Sequence, residues 1–188
     1  MPGCYYHRST LGVFVGATMA SEQTAAQFGK QGEVHRDPMA MLPFCGYNIN
    51  DYFRQWLQMG KWMINPPNIF HVNWFCKDEN GNFLWPDYSE NLRVLEWIIA
   101  RCQGKAEAVK TPIGYVPTPT SLDMTGLDLS SKTIDDLLWI NHEEWQEELK
   151  SQNEFFDKMS NQLPQEIRDE YNALTQRLQK ATCELTYQ

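Results

Sequence analysis

The sequence feature that most constrains the fold is a group of aromatic residues around one tight turn, in the stretch HVNWFCKDENGNFLWPDYSEN at residues 71–91. The Asn80-Gly81 pair inside this stretch is the strongest short signal for a β-hairpin turn. Residues 68–76 are rich in β-branched and aromatic residues, which favours a strand, and residues 82–86 supply a return strand that ends at a proline. A hairpin with large rings on both arms is therefore predicted.

Helical periodicity dominates the chain after the hairpin. A helix is predicted over residues 90–102, with Leu92, Leu95, Ile98 and Ile99 on its buried face. Two later stripes also repeat at helical spacing, and we interpret both as core packing. Their members are Trp145, Leu149, Phe156 and Met159, followed by Ile167, Tyr171, Leu174 and Leu178.

The first half of the chain mixes short apolar runs with loop-forming residues. Residues 11–19, LGVFVGATM, are predicted to form a short buried strand. Asn50 is predicted to cap a helix over residues 51–59 that ends at Gly60. The residues expected on its inner face are Tyr52, Phe53, Trp56 and Leu57. Residues 104–130 are rich in Gly, Pro and Thr and are predicted to be loop-like. The fold class expected is α/β, a mixed sheet with flanking helices and a helical C-terminus.

Charge and cysteine usage narrow the class of protein. The net charge of −8 argues against a nucleic-acid partner, because such a protein needs clustered Lys and Arg to replace counterions along phosphate. The five cysteines form no CxxC pair, which argues against a disulfide framework and a structural zinc site. No apolar run is long enough to cross a bilayer, and no signal peptide is recognised, so we expect a cytoplasmic protein with no membrane partner.

No complete catalytic motif occurs in the sequence. A Walker A motif needs Ser or Thr after Gly-Lys, whereas the three Gly-Lys pairs here are followed by Gln31, Trp62 and Ala106. Neither G-x-S-x-G nor H-E-x-x-H is present. The four histidines are scattered, and we interpret His71 as a hydrogen-bonded core residue of the predicted strand. The residues alone therefore predict no catalytic group and no metal ligand.

The aromatic turn has two interpretations. It is either a core hairpin with ordinary aromatic packing, which is the simpler interpretation of its composition, or a slot for the flat ring of a nucleotide base. In the second interpretation, Phe75, Phe83 and Tyr88 supply rings and Asn91 supplies an amide. Guanine presents O6 as an acceptor and N1–H and N2–H₂ as donors, so a site that pairs these groups penalises adenine.

Five ordered blocks resemble the C-terminal part of GTP-dependent phosphoenolpyruvate carboxykinase. They are GVFVGATMASEQTAA at 12–26, RDPMAMLPFCGYN at 36–48, IFHVNWF at 69–75, NFLWPDYSENLRVLEW at 82–97 and TPIGYVP at 111–117. The resemblance implies that residues 12–188 form an incomplete C-terminal lobe of the carboxykinase fold, part of its nucleotide-binding domain. Residues 1–11 do not match the family pattern.

The resemblance implies a guanine pocket in the aromatic stretch. Its residues would be Phe75, Phe83, Tyr88, Ser89, Glu90 and Asn91. Phe75 and Phe83 would stack on the base, Tyr88 would pack it as a third ring, and Asn91 would read the guanine edge. This arrangement requires Phe75 and Phe83 on one side of the hairpin. A four-residue loop would separate them, so we expect a bulge or a longer loop.

The family reaction converts oxaloacetate and GTP to phosphoenolpyruvate, GDP and carbon dioxide, as a step of gluconeogenesis. The resemblance implies GTP as substrate, a guanine nucleotide as partner and a usually monomeric full-length protein about three times longer. The family's phosphate loop and its ligands for manganese or magnesium match nothing here, and its mobile lid would fall on residues 23–33. We expect a truncated product, a gene fragment or a misassigned start, without activity alone. The alternative is a stand-alone guanine-nucleotide-binding or interaction module without catalysis.

Overall fold

The computed structural model describes residues 4–6, 9–22, 34–86 and 88–185. The helices are α1 Ser9–Ala17, α2 Ile49–Trp62, α3 Asn91–Cys102, α4 Ser131–Leu138, α5 His142–Lys158 and α6 Gln165–Leu185. The strands are β1 Cys4–Tyr6, β2 Ala20–Glu22, β3 Val34–Arg36, β4 Ile69–His71, β5 Val109–Thr111 and β6 Gly114–Val116. The predicted mixture of α and β structure is confirmed.

The strands form two small sheets. The larger sheet has the order β4-β1-β6-β5, and the smaller one pairs β2 with β3. Every strand pairing in the described part of the chain is antiparallel, so the predicted mixed sheet is not formed. Tyr5 lies between Phe70 on one side and Tyr115 on the other, which ties the N-terminal segment to β4 and β6.

The prediction of a strand at residues 11–19 is wrong, because most of this run forms α1. Val13, Phe14 and Ala17 are all buried. A short run that is apolar on every side has no period that distinguishes a buried strand from a buried helix. Close packing also explains the glycines, since a methyl group at Gly12 or Gly16 would collide with Ile69 or Met39 respectively.

The boundaries of α2 differ from the prediction at both ends. Asn48, not Asn50, is the N-cap, and its side-chain oxygen accepts a hydrogen bond from the Asn50 backbone N–H at 2.9 Å. The helix continues through Gly60 to Trp62. Its inner face is partly as predicted, with Phe53 and Leu57 buried.

The predicted long strand over residues 68–76 is reduced to β4, and the return strand is reduced to one bridge between Lys77 and Phe83. His71 ends β4 and stays accessible to solvent, although burial of its imidazole lowers its pKa, so it is not the core histidine that was predicted. Residues 104–130 are not all loop, because β5 and β6 form a tight hairpin within them.

Helix α3 is where it was predicted, but its buried face is not. Val94 and Trp97 are buried, whereas Leu92, Leu95 and Ile99 are exposed. The helix carries apolar side chains on two faces. Sequence spacing alone does not determine which of the two faces packs against the rest of the chain.

The two C-terminal helices are confirmed as α5 and α6. Both contribute to the main core, which joins them to α1 and α2. Its fully or nearly buried members include Phe14, Phe53, Leu149, Phe156, Ile167, Leu174 and Leu178. No helix in the described residues combines the length and apolar character needed to cross a membrane. A smaller core beneath α3 contains Trp85, Val94 and Leu137 and supports the candidate site.

Candidate functional site

The aromatic turn is organised by one carboxylate. Asp78 accepts hydrogen bonds from the backbone N–H groups of Asn80 and Asn82, at 2.9 and 2.8 Å, and from the Asn82 side-chain amide at 3.1 Å. Hydrogen bonds from Asn82 are the main reason why the pKa of Asp78 is lowered. Gly81 has a φ of 84°, which is why glycine is favoured there. The loop between Lys77 and Phe83 therefore has five residues rather than four.

The longer loop places Phe75 and Phe83 together. Lys77 lies opposite Phe83, so Phe75, two positions before Lys77, shares the face of Phe83 as a diagonal neighbour. The two ring centroids are 6.2 Å apart and the ring planes meet at 62°. The Lys77 ammonium lies 5.2 Å from the centroid of the Phe83 ring. The expected longer loop and the shared face are confirmed, although the residue directly opposite Phe83 is Lys77.

The rings assigned to base packing face solvent. Phe75 is 70% exposed, Phe83 is 59% exposed and Tyr88 is 81% exposed. Large apolar groups that face water are candidates for binding a ligand or a partner. The interpretation of this stretch as an ordinary packed core hairpin therefore does not describe these three side chains.

A second layer of aromatic residues anchors the turn. Trp74 and Trp85 lie behind the exposed rings, with their ring centroids 6.4 Å apart. Trp85 is only 4% exposed and packs in the core cluster that contains Val94 of α3. Trp74 and Phe75 are chain neighbours that face opposite sides. Trp85 reaches the inner layer where the chain bends, two positions after Phe83. The packing fixes the turn to the start of α3.

The segment after the turn leads directly into α3. Tyr88, Ser89 and Glu90 form a single 3₁₀ turn, and Asn91 is the first residue of the helix. The Glu90 carboxylate accepts a hydrogen bond from the Arg93 guanidinium at 2.6 Å. Glu90 is thereby held in an ion pair with its own helix.

The side chain of Asn91 is tied to the buried Trp85 ring. Its Oδ1 accepts a hydrogen bond from the indole N–H of Trp85 at 2.9 Å. The structure therefore brings Phe75 to Phe83, and ties Asn91 to the layer beneath them. Sequence reasoning missed the role of Trp85. The feature that could have indicated it is an indole N–H donor six residues before an Asn at the start of a predicted helix.

The predicted lid lies outside the described residues, but the strands on either side of it are described. β2 and β3 pair so that Ala20 lies opposite Arg36. The Arg36 guanidinium donates to the Glu148 carboxylate at 2.8 and 2.7 Å, and to the Thr18 carbonyl at 2.7 Å. These bonds fasten the flanks of residues 23–33 to helix α5.

The described residues contain no group of three His, Cys, Asp or Glu side chains that could hold a metal ion. The residues present in this part of the chain thus do not fit the manganese or magnesium that the family resemblance implies. Three cavities of about 310, 340 and 360 Å³ lie away from the exposed rings. The candidate site is an open aromatic surface rather than one of these cavities.

Comparison with known proteins defines the class. The family described as Phosphoenolpyruvate carboxykinase C-terminal P-loop domain matches residues 5–177. The chain belongs to the GTP-dependent phosphoenolpyruvate carboxykinase family. It is 49% identical over 167 residues to Phosphoenolpyruvate carboxykinase [GTP] of Thermoplasma volcanium, a match that covers 89% of this chain and 28% of that protein.

Two bacterial relatives give the same result. The carboxykinase of Arthrobacter sp. (strain FB24) is 47% identical over 173 residues, covering 90% of this chain and 28% of the relative. That of Anaeromyxobacter dehalogenans is 46% identical over 172 residues, covering 92% and 29%. The chain thus spans less than a third of the length of each of these curated relatives.

Proposed function

We propose that this chain carries the guanine-binding element of a GTP-dependent phosphoenolpyruvate carboxykinase. Phe75, Phe83 and Tyr88 hold the base, and Asn91 selects it, with Ser89 and Glu90 completing the contact segment. The observation that carries the proposal is the contact between the Phe75 and Phe83 rings on an exposed surface. Family membership supplies the reason to expect a guanine nucleotide there.

The physical basis is stacking combined with edge recognition. Stacking on an aromatic ring contributes about 1–3 kcal/mol of binding free energy per base, whichever base it is. The rings therefore supply affinity without strong selectivity. Selectivity requires a polar group whose donor or acceptor matches only one base. Asn91 has such a group, and adenine would leave it unmatched.

The complete reaction belongs to a longer protein. We propose that a full-length relative of this chain decarboxylates oxaloacetate and transfers a phosphoryl group from GTP, forming phosphoenolpyruvate, GDP and carbon dioxide in gluconeogenesis. Phosphoryl transfer depends on a bound metal and a grip on the phosphates. Among the described residues, no three His, Cys, Asp or Glu side chains come together to bind a metal ion. We therefore expect no measurable turnover from the 188-residue chain with GTP, oxaloacetate and manganese.

The cellular setting follows from the same proposal. A cytoplasmic protein that acts on a nucleotide and a small organic acid needs neither a nucleic-acid nor a membrane partner. The net charge of −8 agrees with this proposal, since it disfavours long polyanions. Residues 23–33 are proposed to cover the bound nucleotide, and the Arg36–Glu148 pair would then hold the fixed ends of that segment.

A second candidate is a guanine-nucleotide-binding module that functions without catalysis. The feature that favours it is that the ring pair is assembled and exposed within this chain alone. The two candidates differ in affinity. With phosphate and metal contacts missing, a fragment should bind GDP with a dissociation constant of about 1 mM, or about 4 kcal/mol. A stand-alone module should bind about a thousandfold more tightly.

Titration calorimetry of the purified chain with GDP, GTP and ATP tests the proposal. We expect weak binding of GDP and GTP, and weaker binding of ATP. Equal binding of all three nucleotides would remove the selective role of Asn91, and absence of guanine-nucleotide binding would refute the proposed site. Size-exclusion chromatography of the same sample reports association through the exposed Leu92, Leu95 and Ile99 of α3.

A further inference from the structure

The side chain of Asn91 is held in one orientation by a buried tryptophan. Trp85 is 4% exposed, and its indole Nε1 lies 2.9 Å from Oδ1 of Asn91. Val94 and Leu137 are the other buried members of its cluster, and the Trp74 ring lies 6.4 Å away. An indole held on several sides has little freedom to move its N–H. The hydrogen bond therefore has a fixed origin.

The chemistry of indole decides which end of the amide points outward. An indole N–H donates and has no capacity to accept, so the atom of Asn91 that faces Trp85 must be the oxygen. The Nδ2 amide group is then directed away from Trp85. No described residue accepts a hydrogen bond from Nδ2, whereas Oδ1 has its partner. The free end of Asn91 is consequently a donor.

We propose that Trp85 is a positioning residue that sets the base preference of the site. By holding Oδ1 of Asn91, it leaves the Nδ2 amide as the group that meets the base edge. An acceptor such as O6 of a 6-oxopurine pairs with this donor, whereas the 6-amino group of adenine opposes it with a second donor. This inference rests on the proposed guanine site and adds the residue that makes Asn91 selective.

The inference has a definite consequence for a variant without the indole donor. If Trp85 is replaced by Phe, the aromatic packing is largely kept but the tie to Oδ1 is lost. The Asn91 amide is then free to turn over, so that its oxygen accepts from the 6-amino group of adenine as readily as its nitrogen donates to O6 of guanine. Affinity for the base remains, and selectivity falls.

The test compares Trp85→Phe with Trp97→Phe. Trp97 is also buried, at 2% exposed, and its indole N–H also makes a hydrogen bond, but to the Glu107 backbone carbonyl at 3.1 Å. Trp97→Phe therefore controls for the loss of a buried indole donor. Each ¹⁵N-labelled chain is titrated with GDP, IDP and ADP and followed by NMR, which measures millimolar affinities.

We expect the wild-type chain and Trp97→Phe to bind GDP and IDP about tenfold more tightly than ADP, as one matched hydrogen bond provides. In Trp85→Phe the preference should fall to about threefold or less. If the preference is unchanged in Trp85→Phe, the positioning role is refuted while the guanine site stands. If the wild-type chain shows no preference, the selective role of Asn91 fails, and if it shows no binding, the proposed site fails; this inference fails in both cases.

Asn91→Asp tests the same inference without disturbing a buried residue. One carboxylate oxygen can still accept from Trp85, and the other stands where the Nδ2 donor was. The order of affinity should reverse, with ADP bound more tightly than GDP and IDP. A retained preference for GDP in this variant would overturn the assignment of Nδ2 as the selecting group.

Discussion

The ring of Phe75 lies against the ring of Phe83, with centroids 6.2 Å apart, across a turn of five residues. The odd number of loop residues is what brings the two rings to one side, because an even loop would move Phe83 to the opposite face. The Asp78 hydrogen bonds hold the loop at that length. Backbone hydrogen bonds from Asp78 to the Asn82 carbonyl and from Gly81 to the Asp78 carbonyl close the same loop, so the carboxylate supports the aromatic surface together with them.

Replacing Phe83 with Ala should weaken GDP binding at least about fivefold, since loss of one stacking ring costs about 1–3 kcal/mol. The side chain is 59% exposed, so the fold should be little affected. Phe44→Ala is the matched control, because Phe44 is 82% exposed and lies outside the site. NMR titration measures both. Equal losses in the two variants would argue against a role for Phe83.

Acidification should loosen the turn before it unfolds the chain. Hydrogen bonds from Asn82 lower the pKa of Asp78, so its ionised form stabilises the folded turn. This contribution is fully present above the ordinary pKa of an aspartate and is lost as the pH falls through the lowered value. NOEs between the Phe75 and Phe83 rings should weaken over that range. In Asp78→Asn they should be weaker already at neutral pH.

Gly12→Ala should destabilise the chain although alanine favours helices. The added methyl group would overlap the side chain of Ile69, and overpacking of this kind costs about 1–3 kcal/mol. The gain in helix propensity offsets about 1 kcal/mol of this cost. Gly46→Ala is the control, since its added methyl group would meet nothing within 4 Å. Urea unfolding curves compare the two variants, and equal midpoints would contradict the packing described for α1.

Arg36→Lys should also destabilise the chain, because lysine cannot reproduce the paired hydrogen bonds to Glu148 together with the bond to the Thr18 carbonyl. The Arg36 side chain is 11% exposed, and we expect the free energy of unfolding to fall by about 1–3 kcal/mol. Arg54→Lys changes an exposed pair with Asp51 and an exposed hydrogen bond to the Gln162 carbonyl. It should cost less than the change at the largely buried Arg36. Thermal unfolding of both variants measures the difference.

The sequence predicted those elements whose periodicity or turn chemistry is strong. Helices α5 and α6 follow regular stripes such as Leu149 and Phe156, and the Asn80-Gly81 turn is where it was predicted. The apolar run that forms α1 was assigned to the wrong class, because a segment buried on all sides has no periodic signal. The β5–β6 hairpin was missed in a stretch rich in Gly, Pro and Thr.

The candidate site was predictable only in part. The residues alone offered Phe75, Phe83 and Asn91 as one of two interpretations, and the family resemblance favoured it. The ring contact required a loop length that the Asn-Gly signal alone did not favour. The Trp85–Asn91 hydrogen bond depends on how the hairpin packs on α3, which is a tertiary relationship. Sequence spacing also chose the wrong face of α3, because both faces carry apolar residues.

The central claim is that the exposed rings hold a guanine base, and intermolecular NOEs test it most directly. In a sample of the isotope-labelled chain with excess GDP, we predict NOEs from the guanine H8 proton to ring protons of Phe75 and Phe83. The exposed ring of Phe44 should show none. GDP binding accompanied by NOEs to Phe44, or to other residues, and none to Phe75 or Phe83 would contradict the account.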